Sequence, residues 1–166
     1  MTFELKTLSA EAVPRALEKA ERYRLLNEPS EAESICLDVL EVESDNQEAL
    51  VMLLLALTEQ FDQDASCVAE AWEIVARMKD DYERTYYSGL VQERRAKAQL
   101  RNGVPGCGPR AYEWLREAMH WYEKAEAIRP KANDDALLRW NACARLIMRD
   151  HHLVPSDERA EPMFLE

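Results

Sequence analysis

Residues 118–130 read AMHWYEKAEAIRP, and the spacing of four of these residues predicts how the chain folds. Ala118, Tyr122 and Ala125 place a small residue, an aromatic ring and a second small residue on one side of a helix. Pro130 then ends that helix, because proline cannot donate the next backbone hydrogen bond. Small residues let a neighbouring helix approach closely, and the ring fills the space beside it. The stretch therefore predicts one helix of a tightly packed helical hairpin.

The same spacing recurs upstream, in Ala32, Cys36, Val39 and Ser44. Apolar residues also recur at helical spacing along the whole chain, and alternating β-branched runs are absent. The helices that precede or follow these segments repeat a second pattern in the same register. Its members are Ala16, Lys19, Ala20 and Tyr23, then Leu50, Leu53, Leu54 and Leu57, then Ala136, Trp140 and Cys143.

This shared register resembles the tetratricopeptide repeat, a helical hairpin of about 34 residues. The resemblance covers roughly residues 13–147 and departs from the ideal period in two places. The distance from Ala32 to Val68 is 36 residues, and an enlarged 61–66 loop would accommodate the small excess. The distance from Val68 to Ala118 is 50 residues, and a long fifth helix with the 103–108 loop would accommodate the rest. The resemblance implies an all-α fold, a right-handed α-α superhelix of about three hairpins plus a capping helix. Residues 1–150 would then form a single domain and residues 151–166 a short tail.

Seven helices are predicted. Their expected ranges are about residues 9–27, 29–43, from 46 onward, 64–79, 81–102, 109–128 and 133–150. Asp45 or Asn46 is suited to cap the third helix, and Asn133 the seventh. Gly103 is suited to end the fifth helix in a left-handed conformation.

The chain carries 32 acidic and 21 basic residues, a formal net charge of −11. That excess argues against nucleic acid as the main partner and against an anionic membrane surface, since both require clustered Lys and Arg. The longest apolar run, Ala49–Leu57, is nine residues, too short to span a membrane. The polar Met1–Lys6 segment is unlike a signal peptide, and the four scattered cysteines fit reduced thiols. A cytoplasmic location is expected.

No catalytic motif, cofactor motif or metal motif emerges, so we predict a protein that is not an enzyme. Adjacent His151 and His152 rarely point at one ion, and their place at a helix C-terminus explains them without a metal. His120 is interpreted as a partly buried packing residue. Cys107 is expected to be exposed in a Gly/Pro loop that lacks the Gly-Lys-Ser/Thr of a phosphate-binding loop. An enzyme or enzyme subunit that uses Cys107 or the histidines remains a minor alternative.

The family resemblance implies a concave groove lined by the first helix of each hairpin. Carried over position by position, it predicts ten peptide-binding residues: Leu17, Glu21, Arg24, Val51, Leu55, Tyr87, Arg94, Leu137, Asn141 and Arg145. Such an apolar stripe edged by arginines suits an extended or helical peptide. The alternative for Val51 and Leu55 is that both pack in the core. Trp72, Trp121, Tyr122 and Trp140 are expected to fill the space between helix layers.

The predicted function is therefore a non-catalytic adaptor or scaffold that binds a protein or peptide. A small acidic secretion-type chaperone of the same architecture is an alternative, and a homo-oligomer is possible. Between Leu25 and Ala76 there are 13 acids and no Lys, Arg or His, so this face either aids solubility or meets a basic partner. The apolar end Met163–Leu165 could dock in a groove or on another copy of the chain.

Overall fold

The structure is a computed structural model that describes residues 1–156. Within that range the chain is all-α: it forms seven α-helices and one 3-10 turn, and no β-strand. The all-α class and the seven helices predicted from the sequence are confirmed. The apolar end Met163–Leu165, and with it the predicted docking of the tail, lies outside the described residues. The chain divides into two compact units, residues 1–79 and residues 80–166. The repeat interpretation instead treats residues 1–150 as a single domain.

The first unit contains four helices in sequence: α1 (Val13–Leu25), α2 (Pro29–Val42), α3 (Gln47–Thr58) and α4 (Ser66–Arg77). Each helix packs against the next, and α1 also touches α3. The small residues of the predicted repeat, Ala20 and Ala32, are fully buried, as is Cys36. Because α3 is apolar on most of its circumference, it is buried nearly all round.

The second unit contains the three longest helices: α5 (Asp81–Asn102), α6 (Cys107–Ala127) and α7 (Asp135–Arg149). α6 lies between the other two and packs against both. Its core includes Ala118, Tyr122 and Ala125, the residues whose spacing first indicated the hairpin, and all three are fully buried. Leu153 also packs into this core, so the chain just beyond α7 belongs to the folded unit and not to a tail.

Helix ends follow the chemistry of their caps. The Asn46 side chain accepts a hydrogen bond from the Ala49 N–H at 2.9 Å, and the Asp80 side chain accepts one from Glu83 at 2.8 Å. The cap of α7 differs from the prediction: Asp134 and not Asn133 is its N-cap, and the Asn133 side chain accepts the Asp135 N–H at 3.0 Å from one residue earlier. Gly103 ends α5 with φ +62°, a left-handed conformation that glycine adopts at little cost. These local signals explain why the predicted ranges agree with the structure to within a few residues.

Two expectations about α6 need correction. Cys107 is half-buried and opens α6, because Gly106 turns the chain with φ +82° and starts the helix two residues earlier than predicted. His120 is exposed and not a packing residue, since it lies on the outer side of α6 from buried Tyr122 and Ala118.

Candidate functional site

In the first unit, the predicted binding residues lie on α1 and α3. The Arg24 guanidinium binds the Glu59 carboxylate with two hydrogen bonds, at 2.5 and 3.3 Å, and also contacts the Met52 sulfur at 3.7 Å. This bidentate ion pair connects the two helices. Arg24 is therefore already paired within the unit, which reduces its availability to a partner.

The remaining predicted residues of the first unit differ in exposure. Leu17 is only 4% exposed and contributes to the core. Glu21 is exposed, and Val51 and Leu55 are half-buried. Both α3 residues therefore present part of their apolar surface and bury the rest. Part of each side chain thus packs in the first unit, as the core interpretation predicts, while the role of both residues in a peptide-binding groove stays a prediction.

On α5 of the second unit, Tyr87 and Arg94 are half-buried. The Tyr87 ring meets Tyr86 edge-on, with 5.1 Å between ring centroids. Burial raises the pKa of Tyr87 to about 12, and the neighbouring Tyr86 and Glu83 act in the same direction. Tyr87 is therefore a neutral hydroxyl at physiological pH. The Arg94 Nε is buried and has no hydrogen-bond partner among residues 1–156.

On α7, Leu137 and Asn141 lie one turn apart and open onto the same pocket between α6 and α7. Trp140 lines it from α7, and Glu123 and Glu126 line it from α6. The pocket has a volume of ≈ 320 Å³. Arg145, one turn further along α7, is exposed and is not among its lining residues. The structure thus brings two of the ten predicted residues together in one concave feature, and adds three that the sequence interpretation did not include.

The walls and rim of this pocket differ in chemistry. Leu137 and the Trp140 ring are apolar, whereas the rim carries two carboxylates. The Trp140 indole N–H donates a hydrogen bond to Glu123 Oε1 at 3.0 Å, which holds ring and carboxylate side by side. The Asn141 amide can both donate and accept hydrogen bonds. Such a site fits a long basic side chain whose stem lies on the ring while its charge meets the carboxylates.

Apart from the Trp140 indole N–H that donates to Glu123, the carboxylates of this α6–α7 pocket have only weak partners. Glu126 approaches Arg129 at 3.7 Å, and Glu123 approaches His120 at 3.9 Å, with all four side chains partly open to solvent. Arg129 is also shared with Asp134 at 3.3 Å. Surface ion pairs of this kind contribute little free energy. An incoming cation therefore competes with weak contacts.

Sequence reasoning missed these three residues for identifiable reasons. Trp140 was expected to fill the space between layers, yet it is half-buried and presents part of its ring. Glu123 and Glu126 each follow directly after a core residue, Tyr122 and Ala125, so they share one edge of α6. That three-residue spacing was a visible signal. Which helix faces this edge was not visible in the sequence.

A buried charged cluster joins the three helices of the second unit. Glu93 of α5 is fully buried and receives hydrogen bonds from Lys97 at 2.5 Å, Tyr122 at 2.6 Å and Arg139 at 3.3 Å. Burial raises the pKa of the Glu93 carboxyl, but Lys97, Tyr122 and Arg139 outweigh it and hold that pKa below its usual value. Glu93 is therefore ionised. All three partners donate a hydrogen bond to Glu93. Because they lie on α5, α6 and α7, these bonds hold α7 against the other two helices.

Three of the four thiols are poorly suited to nucleophilic chemistry. Burial raises the pKa of Cys36 to about 12, that of Cys67 to about 11 and that of Cys143 to about 12. A thiol rather than a thiolate is a weak nucleophile, so these three side chains act as small apolar groups. All four cysteines are free.

Among the helices of residues 1–156, none combines the length and apolar character needed to cross a bilayer. Comparison of the chain with protein-family models, with curated protein sequences and with solved structures gives no match. The functional argument therefore depends on the geometry above.

Proposed function

We propose that this protein is a non-catalytic binding module of tetratricopeptide-like architecture that binds a peptide segment of a protein partner. The α6–α7 pocket carries the proposal, because it combines an apolar floor, an aromatic ring, two weakly paired carboxylates and a side-chain amide. These groups suit a Lys or Arg side chain flanked by apolar residues. The burial of the small residues at repeat positions, such as Ala32 and Ala118, supports the architectural part of the proposal.

The energetics favour a basic anchor over an acidic one. A cation over a Trp face contributes roughly 0.5–1 kcal/mol at an exposed site, and more where solvent is displaced. Two carboxylates add attraction and repel an acidic side chain. The net charge of −11 also favours encounter with basic segments at low salt. Weak, salt-sensitive binding of a basic and apolar peptide is the expected behaviour.

Peptide arrays that vary a single anchor residue among Lys, Arg, Leu and Glu would test this function, followed by fluorescence anisotropy on the best sequences. We expect Lys or Arg anchors to bind and Glu anchors to fail. The double substitution Glu123→Lys with Glu126→Lys should weaken the basic peptides at least roughly tenfold, since it reverses the charge of the rim. The matched control is Glu70→Lys with Glu73→Lys, two exposed acids of α4, which changes the net charge equally.

A second pair of variants locates the surface. Leu137→Lys places a positive charge in the pocket and should abolish binding of a basic anchor, whereas Leu55→Lys on α3 should leave it within about twofold. All variants must retain the wild-type circular dichroism spectrum. Equal losses in the pocket and control variants, or a preference for acidic anchors, would contradict the proposed function.

A further inference from the structure

The chain just beyond α7 forms a tight turn that carries three metal-ligating side chains in succession. Asp150 caps α7, and the Leu153 N–H donates to the Asp150 carbonyl at 3.0 Å. The Val154 N–H donates to the His152 carbonyl at 3.1 Å. The Asp150 carboxylate accepts the His152 N–H at 2.9 Å through Oδ1. These bonds give residues 150–154 a defined backbone conformation.

The turn is also anchored to the rest of the second unit. Leu153 is only 2% exposed and packs among the core residues of α6 and α7. The His152 carbonyl lies so close to Gly108 of α6 that a Cβ at position 108 would be 2.2 Å from its oxygen. Only glycine leaves room for this contact. The backbone of His152 is therefore held against the first turn of α6.

The side chains on this turn converge. The His151 and His152 rings lie 4.1 Å apart between centroids, tilted by 39°. One ligand atom from each of Asp150, His151 and His152 lies within 4.8 Å of the other two. Ligand atoms bound to one tetrahedral Zn²⁺ are roughly 3.3 Å apart. Because both imidazoles are exposed, small rotations about their side-chain bonds can close that difference.

Two imidazoles and one carboxylate form a recognisable donor set. Imidazole nitrogen suits Zn²⁺, Cu²⁺ and Ni²⁺, whereas Mg²⁺ and Ca²⁺ prefer sites made only of oxygen. Asp150 Oδ1 is oriented by the His152 N–H, an arrangement that positions a ligating carboxylate. We infer that the Asp150–His152 turn is a binding site for one divalent transition metal ion of the zinc type. Three protein ligands leave a fourth coordination position for water or for a donor from a partner.

The sequence favoured no metal here, because adjacent histidines rarely point at one ion. The turn after α7 places the two rings 4.1 Å apart and adds the Asp150 carboxylate. This site is separate from the α6–α7 pocket and does not depend on peptide binding. Its loss would leave the proposed function untouched.

Titration of the full, metal-free chain with ZnCl₂, followed by calorimetry, would test the site. We expect one Zn²⁺ per chain, and at least roughly tenfold weaker binding in His151→Ala, His152→Ala and Asp150→Asn. His120→Ala is the matched control, since His120 is the only other histidine and is exposed on α6. It should bind Zn²⁺ as the wild type does. MgCl₂ should give no comparable binding.

Proton NMR of the imidazoles gives an independent readout, because the chain has three histidines. Zn²⁺ should shift the ring signals of His151 and His152 and leave those of His120 in place. Cys107→Ser tests whether Zn²⁺ binds to a thiol instead. Cys107 is the residue before Gly108, which contacts His152. No Zn²⁺ binding, equal binding in every histidine variant, or a loss confined to Cys107→Ser would overturn the inference.

Discussion

Among residues 1–156, Glu93 is the only acidic or basic side chain that is buried. An unpaired carboxylate in such a place would be strongly destabilising, so its three donors are a condition of the fold. Lys97 and Arg139 each keep about a third of their side chains open to solvent, at 32% and 33%. The cluster is thus a buried anion held by cations that reach the surface.

Replacing this anion tests its structural role. Glu93→Gln should lower the free energy of unfolding by roughly 2–4 kcal/mol, because it leaves Lys97 and Arg139 without their counter-ion. The lower end applies if both cations turn to solvent. Chemical denaturation followed by circular dichroism measures the change. Glu113→Gln, an exposed acid of α6, should stay within about 0.5 kcal/mol of the wild type.

The same variant carries a pH prediction. Since the folded-state pKa of Glu93 lies below its usual value, the unfolded chain takes up its proton first as pH falls. The stabilisation is fully present above the unfolded pKa of about 4.3 and is lost as pH falls through the lower folded value. The stability gap between wild type and Glu93→Gln should therefore narrow below about pH 4. A gap that stays constant from pH 7 to pH 3 would contradict this account.

At the scale of the elements, the contact between α5 and α6 is the most extensive in the second unit. Gly89 lies beneath the Tyr122 ring, and a Cβ at this position would stand 2.7 Å from the ring atom Cε1. Tyr86 packs on the other part of the same ring, with 5.8 Å between centroids. The Tyr122 hydroxyl is at the same time bound to Glu93. Because the Tyr122 ring is held both at its face and at its hydroxyl, it cannot easily move to make room for a larger residue at position 89.

This packing reverses the usual effect of replacing a helical glycine. Gly to Ala in a helix interior normally stabilises by roughly 0.5–1 kcal/mol. At Gly89 the clash with Tyr122 should dominate, and we expect Gly89→Ala to destabilise by a net amount of about 1–3 kcal/mol. Thermal unfolding of both chains measures it. Thr85→Ala, one turn earlier on α5, is the control and should change little. A higher melting temperature for Gly89→Ala would show that α5 and α6 do not approach this closely.

At the scale of the whole molecule, charge is divided unevenly between the two units. Residues 1–79 contain 17 acids and 7 bases, whereas residues 80–166 contain 15 and 14. Of the 13 acids between Leu25 and Ala76, ten are exposed. Like charges at this density repel one another and weaken the unit that carries them.

Screening of these charges by salt should therefore stabilise the first unit more than the second. Raising NaCl from about 20 to 300 mM shortens the screening length to less than a typical spacing between surface charges. Amide hydrogen exchange in the full chain should slow in α2 and α3 by roughly two- to fivefold, and change less in α5 and α6. Mass spectrometry of peptic fragments resolves the two units. Equal slowing throughout would show that charge repulsion is not concentrated in the first unit.

Much of this molecule could be predicted from short stretches of sequence. The caps at Asn46 and Asp80 act within three residues, and the left-handed Gly103 acts within one turn. Helical periodicity likewise reports which side of each helix is apolar. The sequence predicted less of the candidate site than of the fold. It identified Leu137 and Asn141 but not Glu123, Glu126 and Trp140. Pairing those residues needs the relative rotation of α6 and α7.

The sequence by itself determined the all-α class, the seven helices and the buried small residues at repeat spacing, because each depends on contacts within a few turns. Only the tertiary structure decided that Glu93 meets Arg139 across 46 residues, that Glu123 meets Trp140, and that the turn after α7 gathers Asp150, His151 and His152. Each of these requires distant or non-helical backbone to be brought together by packing. The local periodicity of the sequence does not predict such contacts, because they depend on how the elements pack.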